Sequence, residues 1–432
     1  MKAFIISIAA LGATVCASAE TWTLERCLDY ATEHNITVKM RQAGQRQAEL
    51  SVTEAKSGYL PRLSASAGQS WNIGRGLTAE NTYADRNTSN FNWSASLSVP
   101  IFSGMQTTRR VQYAKANLAQ VTEQYEAAKE DISINIITAY LQALYSKEMV
   151  ETARHQVDIS TTELTRQQAL VDAGKIPEID MLQARSQLAT DQLNLTQAVN
   201  DEILARIDLA QLLELDTEAA DFDVAPISDA DLTVLSPEVA YERALQFNHS
   251  IRAARRGIEV SDRNISLAKT GYLPTLSFNG GLGSSYYKIS GVPNETFSNQ
   301  MKNNYSTYFG FSLNVPIFDA FSTRNSVRRA KAEKVTAELQ LDQAEQQLFR
   351  SIQQAYYQAS SAQKKLESCL VAEDAAEKAF DAMREKYNIG RATPTEYEQA
   401  KSKALTATAN RISARYELTL RSRLLEYYTT EH

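Results

Sequence analysis

The 432-residue chain is poor in several things, and each shortage removes a class of protein. Its four histidines, His34, His155, His249 and His432, are scattered and never share a helix face at metal-ligand spacing. No H-E-x-x-H, phosphate-binding glycine loop or nucleophile elbow occurs. A catalytic centre, a metal site and a cofactor site are therefore not expected. Basic residues number 45 against 51 acidic ones, so the cationic stripe that nucleic acid demands is missing. No run approaches the ~20 apolar residues of a membrane helix. Cysteines number only three.

The first twenty residues, MKAFIISIAALGATVCASAE, carry Lys2, an apolar stretch from Phe4 to Val15, and the small-residue site Ala17-Ser18-Ala19. This reads as a secretory signal peptide over 1–19, cut before Glu20, so the chain is expected to leave the cytoplasm. Cys16 is a poor lipid-anchor cysteine because Val15 before it is too bulky for a good lipoprotein site.

What the chain does have is a phrase written twice. AKSGYLPRLS at 55–64 returns as AKTGYLPTLS at 268–277, eight of ten positions identical at an offset of 213. TLERCLDYATEHN (23–35) pairs with SPEVAYERALQFN (236–248) at the same offset, and VPIF (99–102) with VPIF (315–318) at 216. AYLQA (139–143) then matches AYYQA (355–359), and LQARS (182–186) matches EQAKS (398–402). The period is far too long for a solenoid unit, so the chain reads as two copies of one half-domain, 20–235 and 236–432.

Each copy has one plan. A helical stretch, about 24–57 and 237–270, ends at Gly-Tyr-Leu-Pro, because glycine suits a helix C-terminus and Pro61 or Pro274 forbids continuation. Alternation follows. Phe91, Trp93, Ala95, Leu97, Val99 and Ile101 share one face, and Asn92, Ser94, Ser96 and Ser98 the other, which is a strand. Leu63, Ala65 and Ala67 set against Ser64, Ser66, Gly68 and Ser70 give its partner. The second copy repeats this with Leu276, Phe278 and Leu282, then Phe309, Phe311, Leu313, Val315 and Ile317. Hairpins are thus expected over about 61–102 and 274–318, four strands in all, with polar loops between and with Pro100 and Pro316 marking the exits.

Ser103–Ala173 and Asp319–Ile389 are 71-residue stretches without proline or, beyond Gly104, glycine. As helices each would extend about 105 Å, a coiled-coil length. Leu348, Ile352, Ala355, Ala359, Ala362, Leu366 and Cys369 step 4-3-4-3-4-3, as do Ile132, Ile136, Ala139, Ala143, Ser146, Val150 and Ala153, an a/d stripe rich in small residues. Both helices, 103–173 and 319–389, stop at glycine turns, VDAGKIPEIDML with Gly174 and Pro177, and YNIGRATPTEYE with Gly390 and Pro394. Return helices follow over 177–215, before a linker, and over 394–427. Thr393, Pro394 and Glu396 spell a capping box. Cys27 lies about 30 residues from its strand junction and Cys369 about 50. That mismatch is roughly 30 Å of helix, whereas bridged α-carbons lie within about 7 Å. No intramolecular disulfide is expected, and Cys369 reads as a small hydrophobe on the stripe.

Four strands with one apolar and one Ser/Asn/Gly face do not close alone, and in lipid a strand-built structure must be a closed barrel. Trp71, Trp93, Tyr286, Tyr287 and Tyr305 suit an interfacial aromatic band. Two, three or four copies would give 8, 12 or 16 strands, and the residues do not choose among them.

The repeat, the G-Y-L-P junctions, the V-P-I-F exits and the glycine-centred turns together resemble TolC-family outer-membrane efflux proteins, over essentially all of 23–428. That resemblance implies a mostly α fold with a membrane β-barrel. Three chains would form a 12-stranded barrel continuous with a long periplasmic α-helical barrel, in the outer membrane of a Gram-negative bacterium. It implies a passive exit duct for a tripartite efflux pump or type I secretion system, with a periplasmic adaptor (membrane fusion protein) and an inner-membrane pump as partners and lipid around the barrel.

It also implies a gate at the helix turns. Asp180 falls at the family's acidic position, six places after the first-turn glycine, and Tyr387 three before the second. Ala392 occupies the family's arginine position and Arg391 is displaced by one; of the acidic constriction Glu396 is retained and Gln399 replaces the second acid. The plainer reading is that Glu178, Asp180, Glu396 and Glu398 sit in first turns of helices, where carboxylates favour the positive dipole end, and that Tyr387 packs. The rival class is a soluble periplasmic coiled-coil scaffold or adaptor, which shares the export signal and long hairpins but leaves the two-faced strands unexplained. An autonomous transporter is weaker still, having nothing in the sequence to drive it.

Overall fold

The structure is a computed structural model that describes residues 20–77, 81–215, 222–227 and 236–429. The expected signal peptide and most of the expected linker lie outside the described residues.

In chain order the elements are β1 (Glu20–Trp22), α1 (Leu24–His34), α2 (Ile36–Ser57), β2 (Arg62–Asn72), β3 (Arg75–Leu77), β4 (Tyr83–Asp85), β5 (Thr88–Phe102), α3 (Gln106–Asp172) and α4 (Glu178–Leu212). They continue with β6 (Phe222–Val224), α5 (Pro237–Phe247), α6 (His249–Ala268), a 3-10 turn at Lys269–Tyr272, β7 (Thr275–Ile289), α7 (Phe297–Asn303), β8 (Ser306–Asn314), α8 (Ser322–Asn388) and α9 (Pro394–Thr429). Two compact units divide them. The first takes the described parts of Met1–Gln42, Gln124–Ser250 and Ala344–His432; the second takes Ala43–Glu123 and Ile251–Gln343.

In the second unit, β2, β5, β7 and β8 form one antiparallel sheet in that order. The two expected hairpins are thus joined by β5 against β7. Register rows carry the sequence alternation across all four strands. Leu63–Leu97–Gly280–Phe309 and Ala65–Ala95–Leu282–Thr307 lie on one face, and Ser64–Ser96–Gly281–Tyr308 and Ser66–Ser94–Gly283–Ser306 on the other. Hydroxyl pairs Ser64–Ser96 at 2.8 Å and Ser66–Ser94 at 3.0 Å tie the polar face. Gly283 is demanded by space: an added Cβ would stand 2.6 Å from the Trp93 carbonyl oxygen. Below the sheet, α2 and the start of α3 pack through Val52, Ala55 and Ala114.

The first unit is built on the middle of α3. Ile132, Ile136, Tyr140 and Leu144 pack against Cys27 and Ala31 of α1, Leu209 of α4, Leu213, and Trp22, Phe222 and Val224 of the paired strands β1 and β6. The Tyr140 hydroxyl reaches the carbonyls of Trp22 at 2.9 Å and Ala225 at 2.7 Å. Each large side chain fully buried here contributes roughly 1.5–3 kcal/mol. Leu348, Ile352, Ala355, Ala359 and Ala362 of the expected stripe are buried, as are Ile132, Ile136, Ala143, Ser146 and Val150. The stripe fades at Leu366 and at Cys369, which is only half-buried. Cys27 and Cys369 are free thiols, and burial pushes the Cys27 thiol up to about 12.

Four expectations are corrected. The opening helical stretches break at Asn35 and Asn248, whose backbones are extended with ψ of 132° and 118°. Asn35 Oδ1 accepts from the Thr37 and Val38 amides at 2.9 and 3.4 Å, capping a new helix, while its Nδ2 donates to the Leu212 carbonyl at 3.0 Å. The second VPIF is not strand: β8 ends at Asn314, paired with Thr275, the first residue of β7, so Val315–Phe318 has no neighbour to bond. Pro316 therefore lies beyond the sheet, whereas Pro100 lies in β5 at a register shift. The polar loops hold structure of their own, the β3–β4 ribbon and α7. Phe297 of α7 packs on Phe91 and Tyr286, so part of the apolar face is covered by the chain itself.

Candidate functional site

The two glycine turns of the first unit stop their helices in the same way. Gly174 and Gly390 adopt φ of +66° and +73°. Gly174 N–H donates to Val171 O and Lys175 N–H to Leu170 O; Gly390 N–H donates to Tyr387 O and Arg391 N–H to Lys386 O. Both pairs are the two bonds of the left-handed glycine stop. Nothing lies within 4 Å of an added Cβ at either glycine, so backbone conformation and not space requires glycine there.

The helices that restart are capped differently. Pro177 precedes α4 without a side-chain bond. Asp180 sits in the first turn, its amide donating to Pro177 O at 3.2 Å, and its carboxylate has no hydrogen-bond or ion-pair partner among the described residues. Its place favours the dipole reading, while its free oxygens leave it available to another group. Before α9, the capping box forms in full. Glu396 Oε2 accepts from Thr393 N at 2.8 Å and Thr393 Oγ1 at 2.9 Å, and Glu396 N donates back to Thr393 Oγ1 at 3.3 Å. Those bonds hold the Glu396 carboxyl below its usual value. Arg391 is exposed and its side chain is unpaired among the described residues.

Tyr387 is the candidate that the fold ties down. It is 9% exposed and stacks on Tyr397 of α9 at 4.6 Å. Its hydroxyl donates to Glu163 Oε1 at 2.9 Å and accepts from Gln167 Nε2, both on α3. The Arg166 guanidinium lies 4.9 Å from the ring centre and donates to Asn388 Oδ1 at 2.8 Å. Burial and then the Glu163 charge raise the Tyr387 pKa, and the same causes push Tyr397 up to about 12. The turn of α8 is thus bonded to α3 through Tyr387. No bond joins Asp180, Arg391 or Glu396 to this cluster.

A second polar cluster escaped the sequence reading. Lys401 of α9, 2% exposed, donates to Ser160 Oγ of α3 at 2.8 Å and lies 3.7 Å from Asp191 Oδ2 of α4. Asp191 also accepts from Ser160 Oγ, from Gln156 Nε2 at 3.0 Å and from Gln187 Nε2 at 3.0 Å. Glu398 stands 3.6 Å from Lys401; burial is the main cause of its raised pKa. The available signal was the stepping Tyr397, Lys401, Ala404, which puts a lysine at a core position of α9. Among the described residues no cluster suits a metal ion and no helix is long and apolar enough to cross a membrane.

Comparison with known proteins agrees with this architecture. Outer membrane protein TolC of Vibrio cholerae serotype O1 is 24% identical over 387 residues, covering 88% of this chain and 84% of the relative. Outer membrane efflux protein BepC of Brucella suis is 22% identical over 400 residues, covering 93% and 83%. Alkaline protease secretion protein AprF of Pseudomonas aeruginosa is 24% identical over 413 residues, covering 93% and 82%. The CmeC outer membrane channel of Campylobacter jejuni superposes with a TM-score of 0.77 at 18% identity, over 94% of this chain and 86% of that one. VceC of Vibrio cholerae superposes with a TM-score of 0.75 at 17% identity, over 94% and 96%. The fold is therefore that of these channels. The model of the family described as outer membrane efflux protein matches residues 27–214 and 240–429, nearly the whole described chain, and the chain belongs to that family.

Proposed function

We propose that the chain is the outer-membrane exit duct of a tripartite efflux pump or type I secretion system, three copies of which close one twelve-stranded barrel. The observation that carries this reading is the pair of open edges on the sheet. β2 and β8 each have one neighbour only within the sheet, and every residue of β2 is exposed. In hydrocarbon an unpaired backbone group costs several kcal/mol, so such edges must be closed by other strands. Strands of 9 to 15 residues are long enough to supply the roughly 9–11 that cross a bilayer at a tilt. Leu63, Phe309, Phe311 and Leu313, exposed by 65–80%, would meet acyl chains, and the Ser/Asn/Gly rows would line water.

Four strands per chain admit two, three or four copies; three is the number that the TolC resemblance implies. An inner-membrane pump and a periplasmic adaptor would supply the energy. The turns at 174–177 and 390–394, with Asp180, Tyr387, Arg391 and Glu396, are the proposed gate. Reconstitution tests the reading. A three-chain particle that conducts in planar bilayers is expected. A monodisperse single-chain particle, or recovery in the soluble periplasm, refutes it in favour of a scaffold.

A further inference from the structure

A strand edge is a row of backbone donors and acceptors, and an uncovered one invites a strand from another chain. β7 carries such an edge beyond the reach of its neighbour. Its pairing with β8 stops at Gly283, opposite Ser306, but β7 runs on to Ile289. The overhang reads SSYYKI over 284–289, with two tyrosines and an isoleucine, residue types that strands favour. Along an antiparallel strand the backbone groups of successive residues turn to opposite neighbours. Ser290 N–H donates to Asn87 O at 2.8 Å, on the β5 side. The backbone groups of Ser285, Tyr287 and Ile289 therefore face the side that β8 has left.

Three side-chain amides stand where the missing strand would be. Gln300 Oε1 accepts from Tyr287 N at 2.9 Å, and Gln300 Nε2 donates to Tyr287 O at 2.9 Å. Two residues on, Asn294 Oδ1 accepts from Ile289 N at 2.8 Å, and Asn294 Nδ2 donates to Ile289 O at 2.7 Å. Two residues back, Asn304 Nδ2 donates to Ser285 O at 2.8 Å. A carboxamide carries the same donor and acceptor as a peptide group. Gln300 and Asn294 thus each reproduce the two-bond exchange of a hydrogen-bonded strand pair. The loop fixes them in place. Asn294 Nδ2 also reaches Val292 O at 2.6 Å, and Gln300 Nε2 reaches Glu295 O at 3.1 Å. Thr296 caps α7, Ser284 Oγ donates to Met301 O at 2.7 Å, and Phe297 rests on Phe91 and Tyr286. Asn294 and Asn304 are exposed, where water would satisfy their amides equally well. Packing alone does not ask for an amide at every second residue of one edge.

We propose that Asn294, Gln300 and Asn304 close the overhanging edge of β7 to strand addition, and so direct the strand of a neighbouring copy to β8. The proposal rests on the barrel reading above, in which β2 of one copy meets β8 of the next. β2 is poorly equipped to choose its own place. Between Leu63 and Trp71 it holds only serine, alanine, Gly68 and Gln69, and strands of small residues specify register weakly. A β2 that entered beside the overhang would displace the start of β8 and leave the ring unable to close at its proper number of copies. The amides remove that option before a second copy arrives, because they belong to the loop between β7 and β8 of the same chain.

The test uses the full-length channel, produced in its membrane and extracted in mild detergent, and compares it with Asn294→Ala/Gln300→Ala/Asn304→Ala. Hydrogen exchange is expected to show the Tyr287 and Ile289 amides of the variant exchanging about tenfold faster, the loss of about one net hydrogen bond each. Native mass spectrometry is expected to show particles with more or fewer chains than the native one, at least about threefold more abundant than in the native preparation. Asn299→Ala is the control, since its amide bonds Glu295 within the loop at 3.0 Å and does not touch the edge; it should change neither readout. Faster exchange with the number of chains unchanged overturns the proposal alone, because the amides would then only finish the loop. So does exchange that the triple variant leaves unaltered, or a control as disturbed as the triple variant. A native chain recovered as single chains overturns the barrel reading and this proposal with it.

Discussion

Lys401→Met would strand a buried carboxylate and so measure how firmly α9 is held to α3 and α4 within the first unit. The Lys401 and Asp191 side chains are 3% and 5% exposed and 3.7 Å apart. At an effective dielectric constant of about 20 their attraction is about 4–5 kcal/mol. Desolvation offsets most of that in the intact pair, but losing one partner leaves the other charge buried, typically at 3–5 kcal/mol. Asp191 would still receive Gln156, Gln187 and Ser160, which puts the expected loss near the lower end, about 3 kcal/mol. Native-state hydrogen exchange on the reconstituted channel reads it directly: amides around 156–160, 187–191 and 398–404 should exchange roughly a hundredfold faster. Lys401→Met/Asp191→Leu, which removes both charges, should recover most of that protection, because an apolar pair of similar size replaces a buried ion pair at little net change. Exchange of the single variant within about threefold of the native chain, or a double variant as damaged as the sum of the two singles, would refute the idea that this pair couples the three helices.

Three further outcomes are expected. Tyr387→Phe removes the hydroxyl that bonds Glu163, about 1–2 kcal/mol at a buried site, and it and Asp180→Ala should each raise resting conductance in planar bilayers if the turns gate the duct; unchanged conductance in both leaves only packing and helix-dipole roles. Gly283→Ala should weaken the sheet by about 1–3 kcal/mol, since its Cβ meets a backbone oxygen, whereas Gly281→Ala meets only the far end of the Tyr308 ring at 2.7 Å and should be nearly silent; equal melting shifts would contradict this. Glu398, its pKa raised above 4.5 chiefly by burial, contributes stability below 4.5 that is lost as the pH rises through its higher folded value. The native chain should therefore gain on Glu398→Gln as the solution is acidified from neutral, and a gap that stays constant would be a contradiction.

The strands were legible because one face meets a medium unlike the other. Phe91, Trp93 and Leu97 alternate with Asn92, Ser94 and Ser96, and the register rows keep that alternation across the sheet. The long helices and the Thr393–Glu396 box were equally plain, since capping and glycine stops act over four residues. The breaks at Asn35 and Asn248 were legible only in hindsight. Each asparagine closes the repeated block at 23–35 and 236–248, but its role as a start signal depends on where its side chain goes, in the first case to Leu212 far along the chain. The end of β8 at Asn314 depends on where its neighbour begins, which no local pattern contains. Tyr387 was singled out through resemblance, yet its partners Glu163 and Gln167, like the Lys401 cluster, arise from tertiary packing between helices distant in sequence.

The middle seam of the sheet has a consequence for the birth of the protein. Ala95 lies opposite Leu282 and Val99 opposite Phe278, so β5 finds its second neighbour only in a strand made long after it. Pairings between such distant segments form late, because the entropy of closing the loop must be met before any contact rewards it. The first ribbon must therefore wait, two-stranded and marginal, until most of the polypeptide has been exported. Truncation before β7 would not leave half a stave set but a ribbon without the strand that completes it.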